Sequence, residues 1–368
     1  MPEILFACLH RPNRSPSQRY RFEQYINYLE KQGYSSSFSY LLNEHDDKVF
    51  YAPGHYFGKG VILLKSVSKR LAEVFFKRLP PVVFVQRECF MLGSAFFEKR
   101  FAKRSRLIFD FDDSIWLQQV SEGNKKLAFL KNAGKTKDII RAAHLVIAGN
   151  EYLASYARNY NTQVVIIPST IDTDKYAVKE VSEKENIVIG WSGSFSTIAH
   201  FESAVEALQI LKNKYGNRLS FIVIGDPAYY NEPLSIKGMP WNAATEVEDL
   251  HRFDIGIMPL PDDEWTRGKC GMKGLQYMAA GIPTVMSPVG VNKEIIQDGE
   301  NGFLADTTGE WVEKLSRLIE SVELRKKFSL NGRKTIEEKY SVIANRGKYL
   351  DAVKSVMIKD PNKYSGVC

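Results

Sequence analysis

The stretch DIGIMPLPDDEWTRGKCGMKGLQYMAAGIPTVMSPVG, residues 254–290, contains a strand, a helix and a second strand in one continuous run. The apolar segments DIGIMPL and GIPTVM have the composition of buried strands. A helix predicted from about Lys269 to Ala280 separates them, and it stops at Gly281 with Pro283 just beyond, as helix ends require. Two strands joined by a helix form a parallel, right-handed unit. This stretch therefore predicts an α/β fold.

The same alternation of strands and helices occurs in both halves of the chain. Strand candidates precede it in a first group, EILFACL, PVVFVQ, RLIFDF and HLVIAG, and in a second group, IVIGWSG and LSFIVIGD. A charged stretch at 172–186 between the groups has the composition of a linker. The 368 residues also exceed the size at which one core keeps growing. We therefore predict two doubly wound, Rossmann-like domains, residues 1–167 and 168–349, facing each other across a cleft.

Basic residues are concentrated in the first half. Residues 65–106 hold eleven Lys or Arg and three Glu, a net charge of +8, whereas the whole chain carries +7. Aromatic pairs alternate with the basic pairs, a pattern that favours an anionic membrane surface as the partner. A solvated basic helix is the alternative. Nucleic acid is not expected, because no binding motif accompanies the charge.

The rest of the composition indicates a cytoplasmic protein. We see no run of about 18 apolar residues and no secretory signal at the N-terminus. The four cysteines, Cys8, Cys89, Cys270 and Cys368, have no metal or redox spacing and are interpreted as free thiols in a reducing compartment. We expect a cytoplasmic protein that is peripheral at the inner face of the membrane.

Polar residues follow the predicted strands at their carboxyl ends, where ligands bind in such sheets. In the first domain the candidates are Arg19, Arg21, Arg87 and Asn150, with the carboxylates Asp112 and Asp113. In the second domain they are the turn Ser192, Gly193 and Ser194, and the carboxylates Asp263 and Glu264. Two such edges across a cleft would form a site for two substrates.

The predicted helix from Lys269 is a candidate anion site. Lys269, Lys273 and Gln276 are spaced to share one face. The turn before it, with Cys270 and Gly271, offers backbone N–H groups, and the helix dipole also favours a phosphate there. A surface helix with two solvated lysines is the alternative.

The acidic segment IFDFDDSIW, residues 108–116, has two interpretations. Carboxylates one residue apart on a strand point the same way and suit a hard cation. Aspartates at a strand end also cap turns by accepting backbone N–H bonds. The local residues do not decide between the two.

Four segments carry a resemblance to a known family: MAAGIPTV, SPVGVNKEII and DGENGFLA in the second half, and IIPSTIDTDKY at the domain junction. In these segments the chain resembles the family-four, group 1 glycosyltransferases of the GT-B fold. The resemblance implies that a sugar nucleotide binds between the domains, that the anomeric configuration is retained and that a last helix at about 350–368 crosses back to the first domain. It also implies that no metal is needed, so Asp112 and Asp113 face a sugar hydroxyl and Asp110 is structural. Arg19, Arg21, Arg87 and Asn150 are then expected on the acceptor side.

The chain departs from the family pattern at both carboxylates of its Glu-x7-Glu motif. Gln276 stands at the ribose-binding Glu, and with Trp241 it is assigned to the ribose and base. Gly268 stands at the Glu that reaches the donor sugar, so Asp263 or Glu264 is the candidate replacement. The family's basic residue after the first strand of the second domain is absent from WSGSFSTIAHF, and Lys269 and Lys273 are assigned to its phosphate role.

The predicted function is transfer of a hexose-type sugar from a nucleoside-diphosphate sugar to a hydroxyl. The expected acceptor is a glycan or a lipid-linked glycan in cell-surface polysaccharide or glycolipid synthesis, and no cofactor is expected. Two alternatives remain open: a nucleotide-sugar epimerase of the same fold, and a non-catalytic protein that binds a nucleotide sugar or a glycan, suggested by the missing Glu.

Overall fold

The computed structural model describes residues 1–117, 132 and 134–358. These divide into two compact units, residues 1–168 with 345–358, and residues 169–344. Residues 359–368, part of the predicted last helix, lie outside the described residues.

The first unit alternates strands and helices. In chain order its elements are β1 (Glu3–His10), α1 (Pro16–Arg19), α2 (Ile26–Lys31), β2 (Ser35–Leu42), α3 (Glu44–Tyr51), α4 (Tyr56–Phe75), β3 (Val82–Gln86), α5 (Phe96–Arg104), β4 (Arg106–Phe111), α6 (Lys135–Ala142), β5 (Leu145–Ala148), α7 (Glu151–Arg158) and β6 (Val164–Ile166). The strands pair in parallel in the order β2-β1-β3-β4-β5-β6. The central strand β3, VVFVQ, is buried along its whole length, as the interior strands of parallel sheets are.

The second unit repeats this plan. Its elements are β7 (Ile187–Ser192), α8 (Ile198–Glu202), α9 (Val205–Tyr215), β8 (Leu219–Ile224), β9 (Tyr230–Asn231), β10 (Ile236–Lys237), α10 (Glu246–Leu250), β11 (Ile255–Met258), α11 (Glu264–Arg267), α12 (Met272–Ala279), β12 (Thr284–Met286), α13 (Asn292–Ile295), β13 (Phe303–Leu304), α14 (Thr308–Glu320) and α15 (Val322–Thr335). The last helix is α16 (Val342–Ile358). A five-stranded parallel sheet has the order β13-β12-β11-β7-β8, and β9 and β10 form a small hairpin.

Both sheets contain a point at which the strand order reverses. In the first unit the chain leaves β1 for the outer strand β2 and returns to β3 on the other side of β1. In the second unit it leaves β7 for β8 and returns to β11. The loops at the carboxyl ends of such strands form a crevice in which ligands bind. The residues after β1 and β3, and those after β7 and β11, are therefore the positions to inspect for a site.

The stretch at 172–186, predicted to be a linker, packs against the second unit. Arg333 donates hydrogen bonds to the carbonyl oxygens of Thr173 and Tyr176, and Lys179 bonds Asp254 at 2.7 Å. Tyr176 is buried. The charged residues of this stretch are thus partners for the domain surface, and the linker interpretation is wrong for residues 173–179.

Residues 345–358 of α16 belong to the first unit. The ring of Tyr349 stacks on Tyr25 with 4.1 Å between centroids, and it also contacts Phe84 of β3 at 6.2 Å. Two aromatic rings buried at these distances anchor the helix to the sheet through dispersion and apolar burial.

Candidate functional site

The turn after β7 has a shape that only glycines permit. A Cβ on Gly193 would clash with the ring of Trp191, and one on Gly225, after β8, would clash with the carbonyl of Gly193. The backbone N–H of Ser192 donates to the hydroxyl of Tyr277 at 2.7 Å. Ser194 then caps the short helical turn that precedes α8. The predicted turn at 192–194 is therefore rigid and lies at the reversal point of the second sheet.

The helix predicted from Lys269 begins three residues later. Its first residue is Met272, because Gly271 adopts a left-handed conformation with φ 68° that ends the preceding turn. Lys269 and the buried Cys270 therefore lie in the turn, and only Lys273 and Gln276 are on the helix. The Nζ atom of Lys273 lies 5.3 Å from the ring of Trp191, and that of Lys269 lies 5.3 Å from the ring of Trp265. Lys273 thus reaches the strand that carries the Ser192–Ser194 turn.

A histidine that the sequence reasoning missed joins these lysines. His200 lies in α8, and its imidazole is partly buried. Burial lowers the pKa of His200, and the charges of Lys269 and Lys273 lower it further, to about 4. The only sequence signal was its position seven residues after Gly193. The carboxyl end of the second sheet therefore carries two ammonium groups and a neutral imidazole.

The two carboxylates proposed to replace the missing Glu have different surroundings. Asp263 is the N-cap of α11, where its Oδ1 accepts hydrogen bonds from the backbone N–H of Thr266 at 2.8 Å and from its hydroxyl at 3.0 Å. The charge of Asp263 opposes the lowering of the His200 pKa, but its effect is smaller than those of burial and the two lysines. Glu264 is exposed at the first position of the same helix. Asp263 thus stabilises a helix start close to the lysines, and the assignment of either carboxylate to the donor sugar stays a prediction.

Gln276 belongs to a polar network with three residues from other parts of the second unit. Its Nε2 donates to the hydroxyl of Tyr176 at 2.8 Å and to Oε1 of Glu246 at 3.1 Å. Trp241, 38% exposed, donates from Nε1 to the same oxygen at 3.0 Å. The two residues assigned to the ribose and base therefore meet at Glu246. The sequence analysis missed Glu246 and Tyr176, because they lie 30 and 100 residues before Gln276 and only the folded chain brings them into contact with it.

In the first unit the acidic segment pairs with an arginine. Arg87, which follows β3 and has a φ of 58°, donates from Nε to Oδ1 of Asp112 at 2.7 Å and lies 3.6 Å from Asp113. Burial raises the pKa of Asp112, but the charge and hydrogen bond of Arg87 outweigh it, so the pKa is below its ordinary value. The backbone strain at Arg87 occurs where the site is expected. Asp112, Asp113 and Arg87 thus form one cluster of fixed charges.

Two residues assigned to the acceptor side have structural partners instead. Arg21 is 1% exposed; its Nε donates to Asp110 at 3.1 Å and its Nη1 donates to the carbonyl of Ile167 at 2.6 Å. Asn150 is buried and caps α7 by accepting from the backbone N–H of Leu153 at 2.9 Å. Because their polar groups are buried against their own unit, we withdraw both from the acceptor side. Arg19 is partly exposed, with its guanidinium 5.1 Å from the ring of Tyr20.

The described part of the chain contains neither a cluster of metal-ligating side chains nor a membrane-spanning helix. Among residues 1–117, 132 and 134–358, no three His, Cys, Asp or Glu side chains gather closely enough to hold a metal ion. In the same residues no helix combines the length and the apolar character needed to cross a membrane.

Comparisons with known proteins agree with the fold. Sucrose-phosphate synthase from Thermosynechococcus elongatus superposes with a TM-score of 0.68 at 12% identity, covering 97% of this chain and 99% of that one. A glycosyltransferase from Rickettsia africae ESF-5 gives 0.67 at 14% identity, covering 98% and 99%. HepE from Anabaena, solved in complex with UDP-glucose, gives 0.66 at 13% identity, covering 96% and 100%. The protein has the two parallel-sheet α/β domains of the GT-B fold, and this prediction is confirmed.

The sequence comparisons show similarity to glycosyltransferases in the second half of the chain. Residues 186–321 match the family model of Glycosyl transferases group 1. EpsD of Bacillus subtilis (strain 168), which carries the name of a glycosyltransferase, is 26% identical over 208 residues, 54% of this chain and 54% of EpsD. The match thus spans about half the length of this curated relative. Within the second unit, residues 186–321 are thus similar to the group 1 glycosyl transferases, in agreement with the predicted resemblance.

Proposed function

We propose that the protein transfers a sugar from a nucleoside-diphosphate sugar to a hydroxyl of a glycan or lipid-linked acceptor, with retention of configuration. The observation that carries the proposal is the convergence of Lys269, Lys273 and His200 at the carboxyl end of β7, within the residues that match the family. Loss of the sugar leaves growing negative charge on the diphosphate. Preorganised cationic groups stabilise such charge more in the transition state than in the ground state.

The donor end of the proposal rests on the network around Gln276. A ribose presents adjacent hydroxyls, which need acceptors and donors in fixed positions. Glu246 supplies a carboxylate, Gln276 an amide, and Trp241 a partly exposed aromatic surface next to them. HepE from Anabaena has been solved in complex with UDP and with UDP-glucose, which makes a uridine nucleotide the first donor to test.

The acceptor end rests on Arg87, Asp112 and Asp113. The carboxylates of the two aspartates can accept a hydrogen bond from a sugar hydroxyl and orient it, and Arg87 keeps the pKa of Asp112 below its ordinary value. The two lysines supply the positive charge at the diphosphate, so the proposed reaction uses no metal and no other cofactor.

We place the acceptor at an anionic membrane because of one face of α4. This face carries four apolar residues, Phe57, Val61, Leu64 and Phe75. They lie on the same side of the helix because their spacings of four, three and eleven residues are close to whole turns of about 3.6 residues. Phe57 is 88% exposed and Leu64 70%. Phe76 follows at 87% exposure, with the exposed Lys77 and Arg78 next to it. An exposed apolar stripe of about 30 Å with basic residues at its end fits the surface of an anionic bilayer.

Not every basic residue of 65–106 is available to a membrane. Arg70 is buried, Lys99 pairs with Asp138 at 2.8 Å, and Arg104 donates to the carbonyl of Lys77 at 2.9 Å. The charge that can act on lipid is therefore smaller than the sequence count, and Lys77, Arg78 and Lys103 are its main exposed carriers.

The proposal is tested by incubating the protein with UDP-, GDP- and ADP-sugars, with and without a panel of free and lipid-linked oligosaccharides. Nucleotide release that depends on acceptor supports the transferase, and NMR of the product gives its anomeric configuration. Isomerisation of the sugar without acceptor would indicate the epimerase. Binding without turnover would indicate the non-catalytic alternative.

A further inference from the structure

In the described part of the chain, one buried ring nitrogen of His200 has no hydrogen-bond partner. The imidazole lies in α8, just after the Ser192–Ser194 turn, and its Nδ1 finds no hydrogen-bond partner among the described residues. A buried polar atom left in this state costs free energy that a bound ligand can recover. The position of His200 beside the rigid turn makes the proposed donor the ligand that would do so.

Charges from three elements act on His200. Lys269 is in the turn before α12, Lys273 is in the first turn of α12, and Asp263 caps α11. Burial and the two ammonium groups lower the pKa of His200, while Asp263 raises it, and the result is about 4. At neutral pH the imidazole of the empty site is therefore uncharged.

We propose that a nucleoside-diphosphate sugar bound beside Lys269 and Lys273 brings one proton from solvent onto His200, which then contacts the diphosphate as an imidazolium. The inference rests on the proposed function, since it uses the same donor site. The diphosphate of a sugar nucleotide carries two negative charges. These offset the two ammonium groups and favour the charged form of the histidine. One N–H bond forms on the imidazole, water or buffer gives up the proton, and no other bond changes.

Proton uptake on donor binding makes the affinity for the donor depend on pH. Because the complex binds a proton that the empty site does not, affinity for the donor rises as the pH falls from neutral towards 4. Each unit by which the donor raises the pKa of His200 gives about tenfold tighter binding at the acidic limit. A lysine in this position would already be charged and would give no such dependence.

Isothermal titration calorimetry tests the inference. UDP-glucose, GDP-mannose and ADP-glucose are suitable probes, because their diphosphates do not titrate near neutral pH. Each is titrated near pH 6 in buffers of different ionisation enthalpy. The slope of the observed binding enthalpy against the ionisation enthalpy of the buffer gives the number of protons taken up. We expect uptake of up to one proton by the wild type and none by His200→Asn or His200→Gln. His45→Asn, at an exposed histidine of α3, should match the wild type.

The outcomes separate this inference from the proposed function. Two outcomes overturn the inference and leave the transferase in place. In one, the donor binds without proton uptake; in the other, the wild type and both His200 variants take up equal numbers of protons. Failure of all three sugar nucleotides and their parent diphosphates to bind overturns both. If both variants are misfolded, the wild-type protein still tests the inference. A binding enthalpy that does not change with the ionisation enthalpy of the buffer contradicts protonation at this site.

Discussion

The amide of Gln276 donates a hydrogen bond to Oε1 of Glu246 across 3.1 Å, and the indole of Trp241 donates to the same oxygen. One carboxylate thus positions both residues that the sequence assigns to the nucleoside. Because Nε2 of Gln276 is held by Glu246 and by the hydroxyl of Tyr176, the orientation of the whole amide is fixed. Glu246 therefore also positions the other two residues of the proposed donor site.

The first prediction is that Gln276→Ala and Glu246→Ala act mainly on KM for the donor. Ribose hydroxyls keep their charge during sugar transfer, so their contacts are similar in the ground state and the transition state. Loss of one such hydrogen bond should raise KM about 3- to 10-fold with kcat nearly unchanged. Steady-state kinetics check this, with Glu248→Ala on the exposed face of α10 as the matched control. A fall in kcat at constant KM would contradict the assignment.

The sequence predicted the sheets better than the side-chain contacts. Strand periodicity located β3, β4, β5, β7 and β11, because buried parallel strands are nearly continuous apolar runs. The start of α12 was misplaced by three residues, because the local pattern does not show that Gly271 adopts a left-handed conformation, at a position where a Cβ would clash with Ile295. The partners of Gln276, Arg21 and Asn150 could not be predicted, since hydrogen bonds over long sequence separations follow from the folded topology.

The second prediction concerns the buried pair of Arg21 and Asp110. Arg21→Met should destabilise the protein by about 3–5 kcal/mol, because it leaves a buried carboxylate without its partner. Burial already raises the pKa of Asp110 against the effect of Arg21, so the single variant should take up a proton on folding. The double variant Arg21→Met/Asp110→Leu should recover much of the loss.

Urea unfolding followed by circular dichroism measures these changes. Arg158→Met removes an exposed ion pair with Glu151 in the same unit and should cost less than about 1 kcal/mol. If Arg21→Met proves as stable as Arg158→Met, the buried pair is not a structural element, and Arg21 becomes available again for the acceptor side.

The third prediction is that the exposed face of α4 binds anionic vesicles. Lys77→Gln/Arg78→Gln should weaken binding about 30-fold, since each basic residue near the surface contributes about 1 kcal/mol. Phe57→Ser/Leu64→Ser should weaken it at every salt concentration, because apolar insertion is not screened. Flotation with neutral and anionic vesicles measures both effects. Leu330→Ser, at a 75% exposed leucine of the second unit, is the control. Equal recovery on neutral and anionic vesicles at low salt would rule out the electrostatic part.

The fourth prediction is that Lys273→Ala lowers kcat by about 10²-fold or more, the scale seen when a preorganised anion-stabilising donor is lost. Lys273 is in the first turn of α12, just after the Gly271 cap, and its Nζ lies above the ring of Trp191. Its charge should act on the diphosphate as negative charge develops there, so kcat should fall more than KM rises. Lys273→Arg keeps the charge and should retain more activity than Lys273→Ala. Lys334→Ala, an exposed lysine of α15, should leave kcat unchanged. A folded Lys273→Ala protein with near wild-type turnover would remove this lysine from the mechanism and leave the diphosphate to Lys269, His200 and the Ser192–Ser194 turn.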